Sequence, residues 1–164
     1  MTLDATPHLK VALVSSGLGF IRRGIEVWME ELARHLPAEV DVELWSGGRP
    51  PAAGSRAVRH LHGLSREAFW LRPLSWHHRY QIEQLSVLAQ AVVRLRRHQP
   101  DIVYCGDPVL SWHLKRCRSW HRTKVVFMNG MRLSANWAKG FDGVHLLAPP
   151  YLAEARRELA GQSA

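Results

Sequence analysis

Short apolar runs alternate with longer segments of helical periodicity along the chain. The runs are rich in Val, Ile and Leu and occupy residues 9–15, 40–45, 101–105, 123–128 and 143–148, with a weaker run at 57–61. Near-continuous apolar runs of this length are typical of strands that are buried on both faces of a parallel sheet. The pattern therefore predicts about six strands.

Between these runs, apolar residues recur at intervals of three and four, as on one face of an amphipathic helix. Residues 24–36 carry Ile25, Trp28, Met29, Leu32 and Leu36 on such a face, and residues 76–98 carry Ile82, Leu85, Leu88, Val92 and Leu95. A further helix is predicted at 150–160, between a proline pair and Gly161. The alternation predicts an α/β, three-layer Rossmann-like domain with a mainly parallel sheet of about six strands flanked by helices.

We expect residues 1–164 to form this single domain, because the length suits one core and no internal repeat interrupts it. The stretch 46–56, SGGRPPAAGSR, is predicted to be a surface loop and not a domain boundary. No apolar stretch approaches the roughly 18 residues of a membrane span, and the first ten residues lack the features of a signal peptide. These features favour a cytoplasmic protein.

The cysteines and histidines indicate no metal site. Cys105, in a predicted strand, and Cys117, in a predicted helix, show no metal-ligand spacing, and we expect both to be reduced thiols. His77 and His78 would point about 100° apart on a helix, which is poor geometry for one ion. No metal is expected.

The net charge of +8, from 22 basic and 14 acidic residues, is compatible with nucleic acid, anionic lipid or phosphorylated small molecules. The positions of the arginines narrow the choice among these classes of ligand. Clusters at 94–97 and 115–118 end predicted helices, where cations complement the helix dipole. Arg22 and Arg23 instead follow the first strand, and ligands of parallel α/β sheets bind at the carboxyl ends of the strands.

The loop after the first strand reads SSGLGFIRRGIE, residues 15–26. Gly17 and Gly19 would let the backbone approach a ligand closely, and a helix beginning near Gly24 would direct its first N–H groups to the same place. The loop therefore predicts a site for an anion, with a turn carrying solvated arginines as the alternative.

The same loop lacks the dinucleotide fingerprint. That fingerprint needs a third glycine where Arg22 stands and an acidic residue at the end of the second strand, where the sequence has Trp45 and Ser46. NAD binding is therefore disfavoured. Arg22 and Arg23 favour phosphate or carboxylate, with which guanidinium groups form bidentate pairs.

Five stretches occur in the order and spacing of one family: KVALVSSGLGFIRRGIEVWMEELARHL, DVELWSGG, PDIVYCGDPVLSWHLKR, KVVFMNG and FDGVHLLAPPYLAEARRELAG. Over roughly residues 9–161 the chain resembles the N-terminal, acceptor-binding domain of a family 4, GT-B type glycosyltransferase. The ordered set, and especially the final helix with its PPYLAEA start, carries the resemblance.

The resemblance implies two Rossmann-like domains that face each other across a cleft, the first binding the acceptor and the second the nucleotide sugar. Gly17 and Gly19 would line this cleft, and Arg22 and Arg23 would meet an anionic acceptor or the donor phosphates. The complete enzyme would transfer a hexose with retention of configuration and without a metal ion.

Enzymes of this kind continue into a second domain, whereas this sequence stops at GQSA. We therefore expect the nucleotide-sugar domain to be absent from the chain, which would bind no cofactor itself and need a donor-binding domain in cis or in trans for catalysis. The nucleotide sugar would be the co-substrate of the complete enzyme. The alternatives are a non-catalytic binding module for phosphorylated or anionic ligands and a basic nucleic-acid-binding domain.

The stretch CGDPV, residues 105–109, departs from the family pattern, since many members have a histidine where this sequence has Gly106. Asp107 is the candidate for a catalytic residue, because it could accept a hydrogen bond from an acceptor hydroxyl. It could equally cap the helix that begins with Pro108, and the two roles do not exclude each other.

The stretch MNGMR, residues 128–132, follows the fifth strand. Asn129 and Gly130 are typical of a turn on structural grounds alone. By the resemblance this loop also approaches the cleft, so that Asn129 and Arg132 are secondary acceptor-binding candidates.

In residues 64–80, which we call the aromatic segment, rings alternate with cations: Phe69, Trp70, Trp76 and Tyr80 with Arg66, Arg72 and Arg79. Core packing beside partly buried arginines is one interpretation. Peripheral contact with an anionic membrane is the second, supported by the resemblance to enzymes that act on lipid-linked acceptors. Nucleic acid is third and not expected, because no recognition motif accompanies the charge.

Overall fold

A six-stranded sheet forms the centre of the structure, a computed structural model that describes residues 9–49, 57–130 and 134–160. The strands are β1 (Leu9–Ser15), β2 (Val40–Ser46), β3 (Val58–His60), β4 (Ile102–Cys105), β5 (Lys124–Asn129) and β6 (Gly143–Leu146). They lie in the order β3-β2-β1-β4-β5-β6, and every neighbouring pair is parallel. The predicted three-layer α/β architecture is confirmed.

Helices cover both faces of this sheet. They are α1 (Gly24–His35), α2 (Trp76–His98), α3 (Pro108–Arg116), α4 (Arg118–His121), α5 (Ala135–Ala138) and α6 (Pro149–Ala160). Successive strand residues point to opposite faces, so Leu13 packs in one core with Met29 of α1, and Val14 in the other with Val87 of α2. No helix in the described part of the chain is long and apolar enough to cross a bilayer.

The strand order reverses between β1 and β4. The chain first adds β2 and β3 on one side of β1, then returns through α2 to place β4 on the other side. Ligands of open α/β sheets bind at such a switch point, outside the carboxyl ends of the strands. The loop after β1 and the start of α3 after β4 meet there.

Helix α2 buries a face that only partly coincides with the predicted one. Its buried residues are Tyr80, Glu83, Gln84, Val87, Ala91 and Leu95. Of the predicted apolar face, Leu95 is buried and Leu88 and Val92 pack against the core, as predicted, whereas Leu85 is 43% exposed. The prediction was wrong for Leu85 because it counted only apolar side chains. Glu83 and Gln84 enter the interior because each finds hydrogen-bonding partners on other elements.

Two further predictions concern Cys117 and the loop 46–56. Cys117 is not within a helix but follows the last residue of α3 and precedes α4, and both cysteines are free thiols. In the predicted loop 46–56, Ser46 still belongs to β2, residues 47–49 form a bend, and residues 50–56 lie outside the described residues.

The loop after β1 packs directly on residues 47–49, which follow β2. Gly19 has a φ of +82°, and a Cβ atom there would overlap the carbonyl oxygen of Arg49. The Gly48 N–H donates to the Leu18 carbonyl at 2.8 Å. Both the positive φ and the backbone contact therefore require glycine at position 19.

We predict that Gly19→Ala lowers the free energy of unfolding by about 2 kcal/mol or more, because the alanine is strained in both backbone angle and space. Gly24→Ala is the matched control, since a Cβ atom there meets nothing within 4 Å at the start of α1. It should leave stability unchanged or raise it by up to about 1 kcal/mol. Urea unfolding measures both, and equal stability of the two variants would contradict this account of Gly19.

Candidate functional site

Asp107 lies at the carboxyl end of β4, fully buried beneath the loop that follows β1. Its carboxylate accepts a hydrogen bond from the Ser16 N–H at 2.5 Å and one from the Tyr80 hydroxyl at 3.4 Å. It thereby joins the loop after β1 to the first turns of α2. A side chain so placed positions the backbone and does not face solvent.

The predicted side-chain cap of α3 by Asp107 is wrong. Asp107 occupies the N-cap position, but its carboxylate makes no capping bond. Gln84 of α2 does so instead, since its Oε1 accepts from the N–H groups of Val109 at 2.8 Å and Leu110 at 3.1 Å. Because Gln84 caps the helix, the Asp107 carboxylate can accept the hydrogen bond from Ser16 in the loop after β1.

A buried ion pair lies beside Asp107. Glu83 accepts from the Arg66 backbone N–H at 3.0 Å and from its Nε at 2.9 Å, and its other oxygen contacts Arg66 Nη2. The Ser16 hydroxyl donates to Glu83 at 3.3 Å, and the Arg66 guanidinium lies 4.2 Å from the centre of the Tyr80 ring. Arg66 is therefore fully engaged within the protein.

The electrostatics of this cluster raise the pKa of Asp107 above the ordinary value of an aspartate. Burial raises the pKa of its carboxyl to about 6, and the nearby Glu83 and Glu26 carboxylates act in the same direction, while the bonds from Ser16 oppose them. Burial and the charge of Asp107 also raise the pKa of Tyr80. The Tyr80 hydroxyl consequently stays a hydrogen-bond donor.

Protein atoms fill the space beside the two glycines of the loop. A Cβ atom on the buried Gly17 would overlap Glu26 Oε1 and lie 2.9 Å from Arg66 Nη2. Glu26 is itself buried and accepts from the Arg23 N–H at 3.2 Å, at the start of α1. The Gly17 and Gly19 backbones thus contact the protein's own groups, and their role towards a ligand stays a prediction.

Arg22 and Arg23 lie on the surface at the same edge. Arg23 is within 3.6 Å of Glu67, and both side chains of this pair are about half exposed. Arg22 is exposed and makes no ion pair or hydrogen bond with any residue that the structure describes. These two guanidinium groups remain open to an external anion, in contrast to that of Arg66.

The remaining candidates divide between described and undescribed residues. Asn129 is buried at the end of β5, two strands away from β1, and Arg132 lies outside the described residues. A side chain on Gly106 would meet Met128 Cε at 2.5 Å and Ile25 Cγ2 at 2.9 Å. The position where many members of the resembling family have histidine is therefore closed by apolar side chains in this protein.

A second cluster, not predicted from the sequence, joins α1, β4 and β6. Trp28 Nε1–H donates to the Tyr104 oxygen at 3.2 Å, and this hydroxyl lies 2.5 Å from His145 Nδ1. Burial raises the pKa of Tyr104 to about 12, so the hydroxyl keeps its proton. We assign this hydroxyl as the donor to Nδ1, which places the ring hydrogen on His145 Nε2, beside the partly exposed Trp28 ring.

The aromatic segment separates into buried and exposed parts. Tyr80 and Arg66 are buried, which confirms core packing for these two residues. Phe69 is 76% and Trp70 51% exposed, and Trp76 is also exposed, so core packing is wrong for these rings. Because the segment connects β3 to α2, the exposed rings lie on the carboxyl side of the sheet.

Within the described ranges, no group of three or more His, Cys, Asp or Glu side chains is arranged to hold a metal ion. The three clustered carboxylates of Glu26, Glu83 and Asp107 instead accept hydrogen bonds from protein groups. What the edge offers a ligand is an exposed cationic pair, Arg22 and Arg23, and the partly exposed indole of Trp28 next to His145.

The fold and this edge define a Rossmann-like module with its polar groups at the strand switch point. A family model described as Glycosyltransferase Family 4 matches residues 22–159, and the chain therefore belongs to glycosyltransferase family 4. Among curated proteins no match was found.

We predict that Asp107→Asn changes the pH dependence of stability. Because the folded pKa of about 6 lies above the ordinary value of 3.8, the folded protein binds more protons than the unfolded chain between these pH values. Stability from this group is therefore present at pH 4 and lost as the pH rises through 6, by about 3 kcal/mol.

The variant lacks this titration, so its stability relative to the native protein should rise by most of that amount, about 2 kcal/mol, between pH 4 and pH 7. Urea unfolding at each pH measures the difference. A difference that does not vary with pH would show that Asp107 titrates normally. Tyr80→Phe, which removes only the hydroxyl donor, serves as the control for disturbance of the site.

Proposed function

We propose that this chain is the acceptor-binding half of a retaining, nucleotide-sugar-dependent hexosyltransferase. The observation that carries the proposal is the exposed pair Arg22 and Arg23, at the strand switch point of a family 4 module. Guanidinium groups in this position suit an acceptor that bears phosphate or carboxylate. Trp28, with the His145 Nε2–H beside it, supplies an apolar ring face and a donor for a sugar.

Catalysis is assigned to the complex of this module with a donor-binding domain, in cis or in trans. The three buried carboxylates Glu26, Glu83 and Asp107 hold protein groups, which supports a positioning role for Asp107 instead of direct contact with a substrate. The sugar nucleotide binds the other domain, and the reaction uses no metal ion. The intact mass of the protein isolated from its own host distinguishes the cis arrangement from the trans one.

The exposed part of the aromatic segment carries a second proposal, peripheral binding to an anionic membrane surface. Phe69 and Trp70 present large apolar surfaces to solvent, with the exposed Arg72 beside them. Rings that enter the interfacial region and cations that meet lipid phosphates form the usual pair of membrane-surface contacts. Such docking would place the carboxyl edge of the sheet with Arg22 and Arg23, which we call the acceptor edge, against lipid-linked substrates.

We predict that Arg22→Ala combined with Arg23→Ala weakens binding of an anionic sugar, such as glucose 6-phosphate, by roughly tenfold. Uncharged glucose should be unaffected by the substitutions. Arg34→Ala combined with Arg97→Ala removes the same charge from other parts of the surface and is the control. Titration calorimetry on the whole chain measures all four affinities.

Equal glucose 6-phosphate affinity in the native protein and in the Arg22 and Arg23 variant would refute their role. Binding that depends on these arginines, without sugar transfer after a donor-binding domain is supplied, would instead favour a non-catalytic anion-binding module.

We predict that Phe69→Ser combined with Trp70→Ser lowers binding to vesicles of equal phosphatidylglycerol and phosphatidylcholine by roughly tenfold, because two ring contacts are lost. Val93→Ser combined with Trp120→Ser removes exposed apolar surface elsewhere and should have little effect. Vesicle flotation measures the bound fraction. Unchanged flotation of the Phe69 and Trp70 variant, or none for the native protein, would contradict membrane docking.

A further inference from the structure

A pocket of about 410 Å³ opens between the C-terminal end of α2 and helix α4. Its lining consists of Arg96, Gln99, Ser119, Trp120, His121 and Arg122. Helix α2 has 23 residues and begins at the carboxyl edge of the sheet, so at 1.5 Å per residue the pocket lies about 30 Å from the acceptor edge. The volume is within the range of small-molecule sites.

Two guanidinium groups of this pocket lack acidic partners. Arg96 and Arg122 are exposed, and neither guanidinium group forms an ion pair or hydrogen bond with a residue in the described ranges. The nearby Arg118, by contrast, pairs with Asp142. Helix dipoles account for basic residues at helix ends, but not for the convergence of two unpaired guanidinium groups from different elements on one pocket.

The backbone of the pocket is held in an unusual conformation at two positions. Gln99 has a φ of +45° and Arg122 one of +61°, and His62 is the only other non-glycine residue with positive φ in the described chain. Each of these two residues lies at the C-terminal end of a helix, Gln99 at that of α2 and Arg122 at that of α4. Glycine or asparagine is the usual residue at such a position. A longer side chain costs about 1 kcal/mol or more in this region, and such strain concentrates at functional sites.

Trp120 adds an aromatic surface, since it lines the pocket with 68% of its area exposed. His121 forms a fixed, neutral part of the lining. Its Nε2–H donates to the Leu114 carbonyl at 3.0 Å, its Nδ1 accepts from the Thr123 N–H at 3.1 Å, and burial lowers its pKa. The positive charge available to a ligand therefore comes from the two arginines.

We propose that this pocket binds a phosphate-bearing ligand with a planar ring, of the nucleoside monophosphate class. Arg96 and Arg122 bind the phosphate from two sides, which relieves the repulsion between their like charges. The Trp120 indole stacks on the base, an interaction that every base can make. The site is separate from the acceptor edge and does not depend on the proposed glycosyltransferase function.

Titration calorimetry of the whole chain with AMP, UMP, adenosine and inorganic phosphate tests the proposal. Both nucleotides should bind, and adenosine and phosphate alone should each bind at least about tenfold more weakly, because each retains one of the two contacts. Arg96→Ala combined with Arg122→Ala should weaken AMP binding by about tenfold or more. Trp120→Ala should weaken it by about fivefold or more.

Arg97→Ala combined with Arg116→Ala is the matched control, because it removes the same charge from the ends of α2 and α3 without touching the pocket lining. AMP affinity should stay within about twofold of the native value in this control. Thermal unfolding of every variant checks the fold, and all substituted residues are exposed.

Three results would overturn the proposal. The first is no AMP binding at millimolar concentration, and the second is an equal loss of affinity in the pocket variant and its control. The third is binding of a single-stranded oligonucleotide, with steep loss in salt, but not of AMP or UMP. That result would indicate diffuse attraction of polyanions.

Discussion

The hydrogen bond from the Ser16 N–H to the Asp107 carboxylate is the contact on which the carboxyl edge of this protein depends. It joins the first residue after β1 to the first turn after β4, across the point where the strand order reverses. Around it, Glu83 engages both the Ser16 hydroxyl and the Arg66 guanidinium. Burying an ion pair is costly unless its hydrogen bonds are satisfied, and here both carboxylate oxygens of Glu83 have partners.

This arrangement divides the polar residues of the edge into two sets. Glu26, Arg66 and Asp107 are turned inward and fix the loop after β1, whereas Arg22 and Arg23 remain outside. The buried charged groups therefore hold the loop through hydrogen bonds, while the two exposed guanidinium groups face solvent.

Much of the fold could be predicted from the sequence, because buried parallel strands leave continuous apolar runs that few other structures produce. The strands fell within two residues of their predicted ends, and α2 at its predicted ends, Trp76–His98. The rotation of α2 about its axis could not be predicted. Glu83 looks like a solvent-facing residue until Arg66, distant in sequence, is known to lie against it.

The site was less predictable, because its contacts too join residues that are distant in sequence. Gly17 and Gly19 predict a close approach of something to the backbone, but periodicity cannot say whether that is a ligand or the protein itself. Asp107 before a proline predicts an N-cap, and the position is correct. That Gln84 provides the capping oxygen follows only from the packing of α2 on α3, which no local pattern encodes.

The position of Arg66 has a mechanical consequence. Its backbone N–H and its guanidinium both donate hydrogen bonds to Glu83, and its Nη2 reaches the space beside Gly17. Phe69 and Trp70, only three and four residues further along the chain, extend into solvent. The exposed rings and the loop after β1 are thus connected through Arg66. A displacement of the rings that also moved Arg66 would alter its contacts with Glu83 and beside Gly17.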